Sequence, residues 1–256
     1  MNYKKELQFM EGLAVSAGER LLKYFHKRHT ITLKTSFHDF VTEVDIASEK
    51  FILSKMRKTF PRYGILSEEA GHSGNQQAFF VVDPLDGTQH FSHGLPGFGI
   101  LLALVRDGIT VASAMYDPLI KSSFTALLGH GSWRNGKRVH CSNTTRFDHA
   151  LGGIGLNGPR TTLKQKSALF TTLLSEKANF YRYYMNVAWV GVGGLDFYIS
   201  HGGGPWDHAP QTLFAAEAGA KVTDFSGRPV LWDTKEVVVA NPVLHKKLMQ
   251  ILNHTL

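Results

Sequence analysis

The sequence lacks several features that mark exported, membrane-bound or disulfide-stabilised proteins. It has a single cysteine, Cys141, so no internal disulfide can form, which fits a reducing compartment. No stretch approaches the roughly 18 uninterrupted apolar residues of a membrane-spanning helix. Residues 1–6 lack the apolar core of a secretory signal. These absences predict a cytoplasmic protein with no membrane partner.

Long basic runs are also missing, although the net charge is +7. Lysine and arginine are scattered in short groups such as Lys27-Arg28 and Lys246-Lys247. A nucleic-acid-binding surface normally shows a basic stripe with aromatic residues between the charges. We therefore expect a small anionic metabolite as the partner, and the positive charge leaves nucleic acid open as a second one.

The most informative stretch is a short apolar run that ends in two aspartates. Residues 79–82 predict a buried strand, and Asp83 and Asp86 follow it. Two carboxylates three residues apart favour Mg²⁺ or another oxygen-preferring cation. The N–H groups of Gly87 and Thr88, where a helix could begin, would suit a phosphate. On these residues alone, an ordinary turn containing Asp-Pro and Asp-Gly is an equal alternative.

Other acidic residues lie where predicted helices and strands begin or end. Thr42 is a candidate N-cap of a helix whose first turn contains Asp45. Glu68 follows a short strand, a place where α/β proteins put binding groups. Asp207 lies at the start of a helix that a glycine ends. Each acid alone also fits a structural role as a cap or a surface charge.

The remaining pattern predicts mixed helices and strands. We expect helices near 3–28, 161–177 and after residue 242, an antiparallel meander over 97–127, and β structure over 180–192. Residues 131–138 nearly match a P-loop, but Arg138 replaces the required Ser or Thr, and Asn135-Gly136 is typical of a type I′ turn. Residues 153–158 fit G-x-G-x-x-G without a full preceding strand, which favours a strand-to-helix loop.

Taken together, these segments give the chain a resemblance to the inositol monophosphatase family, whose superfamily includes fructose-1,6-bisphosphatases and nucleotide 3′-phosphatases. Residues 83–91 carry the D-P-[IL]-D-G-T-x-x-F motif, and residues 206–209 carry W-D-x-A, followed by E-A-G at 217–219. Further positions match in order and spacing: Lys34, Asp39, Thr42, Asp45, Glu68 and Glu69. The likeness therefore covers nearly the whole chain.

The resemblance implies a fold and a domain organisation. The expected fold is a mixed α+β and α/β structure, a layered αβαβα sandwich. Residues 1–256 would form a single catalytic domain, with an N-terminal α+β lobe to about residue 145 and a C-terminal α/β lobe from about residue 146. Family members are commonly homodimers, so we expect a homodimer here.

The resemblance also implies a set of metal ligands. Glu68, Asp83 and the carbonyl oxygen of Leu85 would bind one Mg²⁺. Asp83, Asp86 and Asp207 would bind a second, and a third ion would contact Glu68 through water. Without cations, four converging carboxylates would repel one another and raise one another's pKa values, which supports their role as ligands.

By the same resemblance, the reaction is the hydrolysis of a phosphomonoester. A metal-activated water, oriented by Glu68 and by a Thr88 hydroxyl bonded to Asp45, would attack phosphorus in line. Gly87 and Thr88 would contact the phosphate. The expected protein is thus a Mg²⁺-dependent phosphatase of a small phosphorylated metabolite.

Departures from the family pattern concern the substrate. Inositol-specific members commonly have small residues where this chain has residues 181–184. They also have a glutamate that contacts sugar hydroxyls where this chain has Ser200, so the resemblance makes Ser200 a substrate-binding position. Aromatic residues around Arg182 predict a substrate wall, with core packing as the alternative. Arg182 could pair with a second phosphate or a carboxylate. Inositol 1-phosphate is the default substrate, and histidinol phosphate, a sugar bisphosphate and a nucleotide 3′-phosphate are the alternatives.

A hypothesis of another class is a protein that binds RNA or a transcription complex through its basic surface. The complete set of metal ligands argues against a protein without catalytic activity, because an unused carboxylate cluster is costly. A serine hydrolase is excluded because the sequence has no G-x-S-x-G elbow. His90 and His93 have no third ligand nearby, so we expect no zinc.

Overall fold

A computed structural model describes residues 3–36, 39–156, 162–181 and 184–255. Arg182, a predicted substrate-binding residue, lies outside these ranges, as does the segment 157–161. The helices in the described ranges are α1 (Lys4–Leu22), α2 (Glu43–Thr59), α3 (Thr88–Ser92), α4 (Leu163–Ser175), α5 (Asn186–Gly191), α6 (Pro205–Glu217) and α7 (Pro242–Thr255). The strands there are β1 (Ile31–Ser36), β2 (Asp39–Thr42), β3 (Gly64–Ser67), β4 (Gly71–Ser73), β5 (Ala78–Asp86), β6 (Gly99–Arg106), β7 (Ile109–Asp117), β8 (Ser122–Leu127), β9 (Gly131–Arg134), β10 (Lys137–Arg138), β11 (Leu151–Leu156), β12 (Asn179–Phe180), β13 (Phe197–His201), β14 (Lys221–Thr223) and β15 (Glu236–Ala240).

Apart from the β1–β2 hairpin, the described strands form two sheets. The larger has the order β10-β9-β8-β7-β6-β5-β3-β4, with antiparallel pairs except for the parallel pair β3–β5. The smaller has the order β12-β11-β13-β15-β14, in which β11 runs parallel to β12 and β13. Strand β5 therefore lies inside the larger sheet, with β3 and β6 on its two sides.

The two sheets alternate with three helical layers. Helices α1 and α2 pack on one face of the larger sheet, and α5 and α6 lie between its other face and the smaller sheet. Helices α4 and α7 cover the outer face of the smaller sheet. The fold is therefore the layered αβαβα sandwich that the resemblance implied.

The apolar run of strand β5 is nearly continuous because helices cover both faces of the strand. Successive side chains on a strand point to opposite faces. Phe80 and Val82 pack with α1 and α2, whereas Phe79 and Val81 pack against α6. Because both faces are covered, every residue from 78 to 85 is buried.

Several predicted elements are confirmed and others shift. The meander over β6–β8 is antiparallel as expected. At the β9–β10 turn, Asn135 and Gly136 have φ of +50° and +72°, as a type I′ turn requires. Helix α1 ends at Leu22, earlier than the predicted residue 28. No helix in the described ranges is both long and apolar enough to cross a bilayer.

The β structure predicted over 180–192 is confirmed only at Phe180, the last residue of β12, and is wrong for the described residues after it. Residues 186–191 form α5, which begins after Met185 in the left-handed region, at φ +49°. Val187 and Val190 face the smaller sheet, whereas Ala188 packs with the larger one. Burial between two layers thus overrides the β propensity of the valines.

The loop predicted for the glycine-rich segment is wrong over residues 153–156, which belong to β11. The strand pairs in parallel with β13 from Gly152 to Leu156. A Cβ atom added at Gly152 would lie 2.2 Å from the Phe197 ring, and one added at Gly155 would lie 2.3 Å from the Tyr198 hydroxyl. The glycines therefore permit close approach of β13 side chains, a recognised role of glycine in strands.

Candidate functional site

Three aspartates from two distant segments of the chain converge at the end of β5. One carboxylate oxygen each of Asp83, Asp86 and Asp207 lies within 4.8 Å of the others. Asp83 and Asp86 would face opposite sides of a regular strand, but the β5–β6 register shifts between them. Asp207 joins them from the first turn of α6, where its carboxylate accepts a hydrogen bond from the Gly204 N–H.

The negative charges of this cluster repel one another. Burial, followed by the charges of Glu68, Asp86 and Asp207, holds the pKa of Asp83 well above its ordinary range. Burial and the charge of Asp207 raise the pKa of Asp86 to about 8, although N–H groups of Met185 and Gly87 oppose the shift. The Oδ2 atom of Asp86 is buried and has no hydrogen-bond partner among the described residues.

Glu68 reaches the same cavity from the end of β3. Its N–H donates to the carbonyl oxygen of Val82 at 3.2 Å, which continues the β3–β5 pairing by one residue. Its negative charge raises the pKa values of both Asp83 and Asp86. The structure therefore brings Glu68 to the acidic cluster, although its carboxylate lies outside the group of three.

Asp45 is held by the start of its own helix and faces Thr88. Thr42 caps α2, and the Asp45 Oδ2 atom accepts from the Thr42 N–H at 2.9 Å and from its hydroxyl. The Thr88 Oγ1 atom lies 3.0 Å from both Asp45 Oδ1 and the Leu85 carbonyl oxygen. Burial raises the pKa of Asp45, and the hydrogen bonds from Thr42 and Thr88 oppose that shift.

The turn after β5 is shaped by its own aspartate and by a glycine. The Leu85 N–H donates to Asp83 Oδ1 at 3.0 Å, as in an Asx turn. Gly87 has a φ of +85°, and a Cβ atom there would lie 2.4 Å from the Gly97 carbonyl oxygen. Only glycine fits this position, where the chain enters α3.

Glu68, Asp86, Thr88 and Asp207 border a cavity of about 330 Å³. Its described lining combines the acids with polar and aromatic side chains from both lobes: Phe40, Glu68, Asp86, Gly87, Thr88, Gln89, His90, Ile154, Gly155, Tyr184, Met185, Asn186, Val187, Tyr198, Ser200, His201, Gly202, Gly203, Asp207, His208 and Gln211. The volume lies at the lower end of the range for small-molecule sites.

Only some of the predicted substrate residues are found at the cavity among the described residues. Ser200 is buried and lines the cavity, as does Tyr184. Tyr181 is 51% exposed and borders a different cavity, so it is not part of this wall. The side chains of Lys34 and Asp39 lie outside the described ones, as Arg182 does.

Tyr198 and Gln211 line the cavity but were not predicted from the sequence, although the spacing of each from a predicted site residue would have indicated it. Tyr198 lies two positions before Ser200 on β13, so the two side chains share a face. Burial raises the pKa of Tyr198, and hydrogen bonds with Ser200 and Asn186 oppose the shift. Gln211 lies one helical turn after Asp207 and donates to its carbonyl oxygen at 2.7 Å.

Known proteins resemble this chain over its whole length. The model of the inositol monophosphatase family matches residues 2–256. The fructose-1,6-bisphosphatase/inositol-1-monophosphatase of Thermotoga maritima is 30% identical over 251 residues, which cover 96% of this chain and 95% of that protein. The Nus factor SuhB of Pseudomonas aeruginosa is 32% identical over 247 residues, with 92% and 91% covered.

The folded structure leads to the same group of proteins. The crystal structure of the extragenic suppressor protein suhB from Bartonella henselae superimposes with a TM-score of 0.93 at 28% identity, over 99% of this chain and 100% of that one. The match of the family model thus spans both lobes and every acid of the site. The chain belongs to the inositol monophosphatase family.

Proposed function

We propose that this protein is a Mg²⁺-dependent phosphomonoesterase that acts on a small phosphorylated metabolite. The observation that supports it most is the convergence of Asp83, Asp86 and Asp207, of which Asp86 and Asp207 line the cavity. The first two come from the N-terminal lobe and the third from the C-terminal lobe. We therefore also propose that residues 1–256 act as one catalytic domain.

The donor set fits divalent ions. Carboxylate and carbonyl oxygens are the ligands that Mg²⁺ prefers. The buried Oδ2 atom of Asp86 needs a partner, and the raised pKa values of Asp83 and Asp86 reflect repulsion that a cation would relieve. Glu68 and the Leu85 carbonyl would complete the ligand set. When bound, such ions offset phosphate charge and acidify the attacking water.

The protein's own residues would orient the reaction. The Thr88 hydroxyl, by donating to Asp45, would keep its oxygen free to accept a hydrogen bond from the attacking water. Glu68, which lines the same cavity, would accept a hydrogen bond from the other O–H group of that water and so help to orient it. The N–H groups of Gly87 and Thr88 would contact the phosphate.

The described cavity wall narrows the substrate class. Among its described residues, the carboxylates are Glu68, Asp86 and Asp207, all at the proposed metal centre. A cationic amine would find no separate counter-ion there, which disfavours histidinol phosphate. The name of the Thermotoga maritima relative favours an inositol phosphate or a sugar bisphosphate. We propose these two classes, with Arg182 as the partner of a second phosphate.

A panel of phosphomonoesters assayed for phosphate release with Mg²⁺ tests the proposal. We expect activity on at least one ester, loss of activity with EDTA, and a loss of at least about 100-fold in Asp83→Asn. Asp233→Asn changes an exposed aspartate in the same way and should remain fully active. Full activity of Asp83→Asn would contradict the proposal.

A second candidate function comes from the relatives named Nus factor SuhB. We propose as the alternative that the chain contacts RNA or a transcription complex through its basic surface. RNA binding that weakens with salt and survives Asp83→Asn would favour it. The homodimer and the cytoplasmic location stay predictions, which light scattering and cell fractionation would test.

A further inference from the structure

Helix α2 sends three side chains toward three different segments of the site. Asp45, Ser48 and Glu49 are spaced at i, i+3 and i+4, so they share one helix face, and all three are buried. Asp45 contacts Thr88, and the Ser48 hydroxyl donates to the Pro84 carbonyl oxygen at 2.8 Å. The third side chain, Glu49, points at neither of these segments.

Glu49 holds the chain on both sides of Glu68. Its Oε1 atom accepts a hydrogen bond from the Ser67 hydroxyl, and also from the N–H groups of Glu69 at 3.2 Å and Ala70 at 3.0 Å. Ser67 is fully buried and Glu49 is only 6% exposed. One carboxylate oxygen therefore fixes the residue before Glu68 and the two residues after it.

A backbone hydrogen bond also supports Glu68 itself. The Glu68 N–H donates to the Val82 carbonyl oxygen, one residue before Asp83. The backbone of Glu68 is thus tied to the strand that carries the aspartates, while its neighbours are tied to α2. The backbone of Glu68 is therefore held from both directions at the point where its side chain lines the cavity.

We propose that Glu49 is a positioning residue of the metal centre, which sets the direction of the Glu68 carboxylate without itself touching metal or substrate. The inference rests on the proposed function, because it requires that Glu68 bind an ion. Groups that orient a metal ligand typically contribute about 10- to 100-fold to metal affinity.

Binding of Mn²⁺ to the protein tests the proposal without any substrate. Mn²⁺ is titrated against the protein, and the electron paramagnetic resonance signal measures the concentration of the free ion. Glu49→Ala should weaken the affinity for Mn²⁺ by about 10- to 100-fold. Glu49→Gln keeps an acceptor oxygen for the three donors and should stay within about threefold of the wild type. Glu43→Ala is the matched control, because that carboxylate on the same helix accepts a hydrogen bond from the Thr30 N–H and is not among the described residues that line the cavity.

Thermal unfolding separates positioning from a general loss of stability. A variant that had only lost stability would have a lower Tm in EDTA and the same increase in Tm on addition of Mg²⁺ as the wild type. In Glu49→Ala we expect that increase itself to be smaller than in the wild type. Ser67→Ala removes one of the three donors and serves as a milder second variant, with an expected affinity loss of a few-fold.

Two results would overturn the proposal. If Glu49→Ala binds Mn²⁺ like the wild type while Asp83→Asn has lost binding, the metal centre stands and the positioning role of Glu49 is wrong. If Asp83→Asn itself binds Mn²⁺ like the wild type, the metal centre is wrong, and the proposed function fails with it.

Discussion

The Thr88 hydroxyl lies 3.0 Å from the Oδ1 atom of Asp45, although 43 residues separate the two along the chain. Thr42 holds the other oxygen of the same carboxylate through its N–H and its hydroxyl. The Asp45 carboxylate is therefore fixed by the capping box of α2 and can in turn orient Thr88. A helix cap has become part of the candidate active site.

This contact predicts a kinetic effect of Thr88→Val, which keeps the side-chain shape and removes the hydroxyl. We expect kcat to fall by about 10²- to 10³-fold, because the attacking water loses the group that orients it. Thr88→Ser retains the hydroxyl and should keep most of the activity. Metal affinity should change little in either variant, and a Thr88→Val enzyme with normal kcat would contradict the role given to Thr88.

The raised pKa values at the cluster predict how the metal-free protein responds to pH. A carboxyl group with a raised pKa binds its proton more tightly in the folded state, so its contribution to stability is lost as pH rises. For Asp86 the loss extends from the ordinary pKa of 3.8 to about 8.

Urea unfolding in EDTA at a series of pH values checks this prediction. The free energy of unfolding should decrease across that window, and the decrease should be smaller in Asp86→Asn than in the control Asp233→Asn. Addition of Mg²⁺ at pH 8 should restore stability in the wild type. Identical pH profiles for the wild type and Asp86→Asn would refute the electrostatic explanation.

His245 on α7 predicts that the free energy of unfolding also decreases as the pH falls, the opposite direction to the effect of Asp86. Burial, and then the charge of Lys221, lowers the pKa of this histidine from 6.5 to about 4, and its Nε2 atom lies 2.9 Å from the Thr223 hydroxyl. Its contribution is present above pH 6.5 and is lost as pH falls toward 4, because the unfolded chain takes up the proton first.

The matched comparison is His245→Gln against His254→Gln, since His254 is exposed on the same helix. Between pH 6.5 and 4, His245→Gln should lose less unfolding free energy than the wild type, whereas His254→Gln should follow the wild type. Equal losses in all three proteins would show that His245 does not titrate as its burial implies.

Glu217 predicts a stability effect at the far end of the helix that carries Asp207. Its two carboxylate oxygens each accept a backbone N–H, from Gly129 and Gly131, at 2.7 Å. Glu217→Ala should lower the unfolding free energy by about 1–3 kcal/mol, because two charge-assisted hydrogen bonds are lost. Glu217→Gln should cost less, and chemical denaturation of the three proteins measures both effects. An unchanged free energy of unfolding in Glu217→Ala would mean that these two hydrogen bonds do not stabilise the fold.

The sequence predicted the parts of the site whose signals are local. The apolar run of β5 and the aspartates after it form one continuous segment, and Thr42 with Asp45 forms a capping box within four residues. The family motif supplied the distant partner, Asp207. Layer order followed from the resemblance and not from periodicity.

The sequence missed features that depend on contacts between distant segments. Residues 186–191 are helical because they are buried between two sheets, and the glycines of β11 serve the side chains of β13. Tyr198 belongs to the cavity only because β11 and β13 pair in register. The role we propose for Glu49 likewise depends on donors that lie 18 to 21 residues away.

The proposed metal centre requires that acids from both lobes share divalent ions. Anomalous diffraction from crystals grown with Mn²⁺ would show this, because the signal locates the metal independently of activity. We expect anomalous peaks within bonding distance of Asp83, Asp86 and Asp207, and their loss in Asp83→Asn crystals. A well-ordered site with no peak among these carboxylates, at a Mn²⁺ concentration that supports activity, would contradict it.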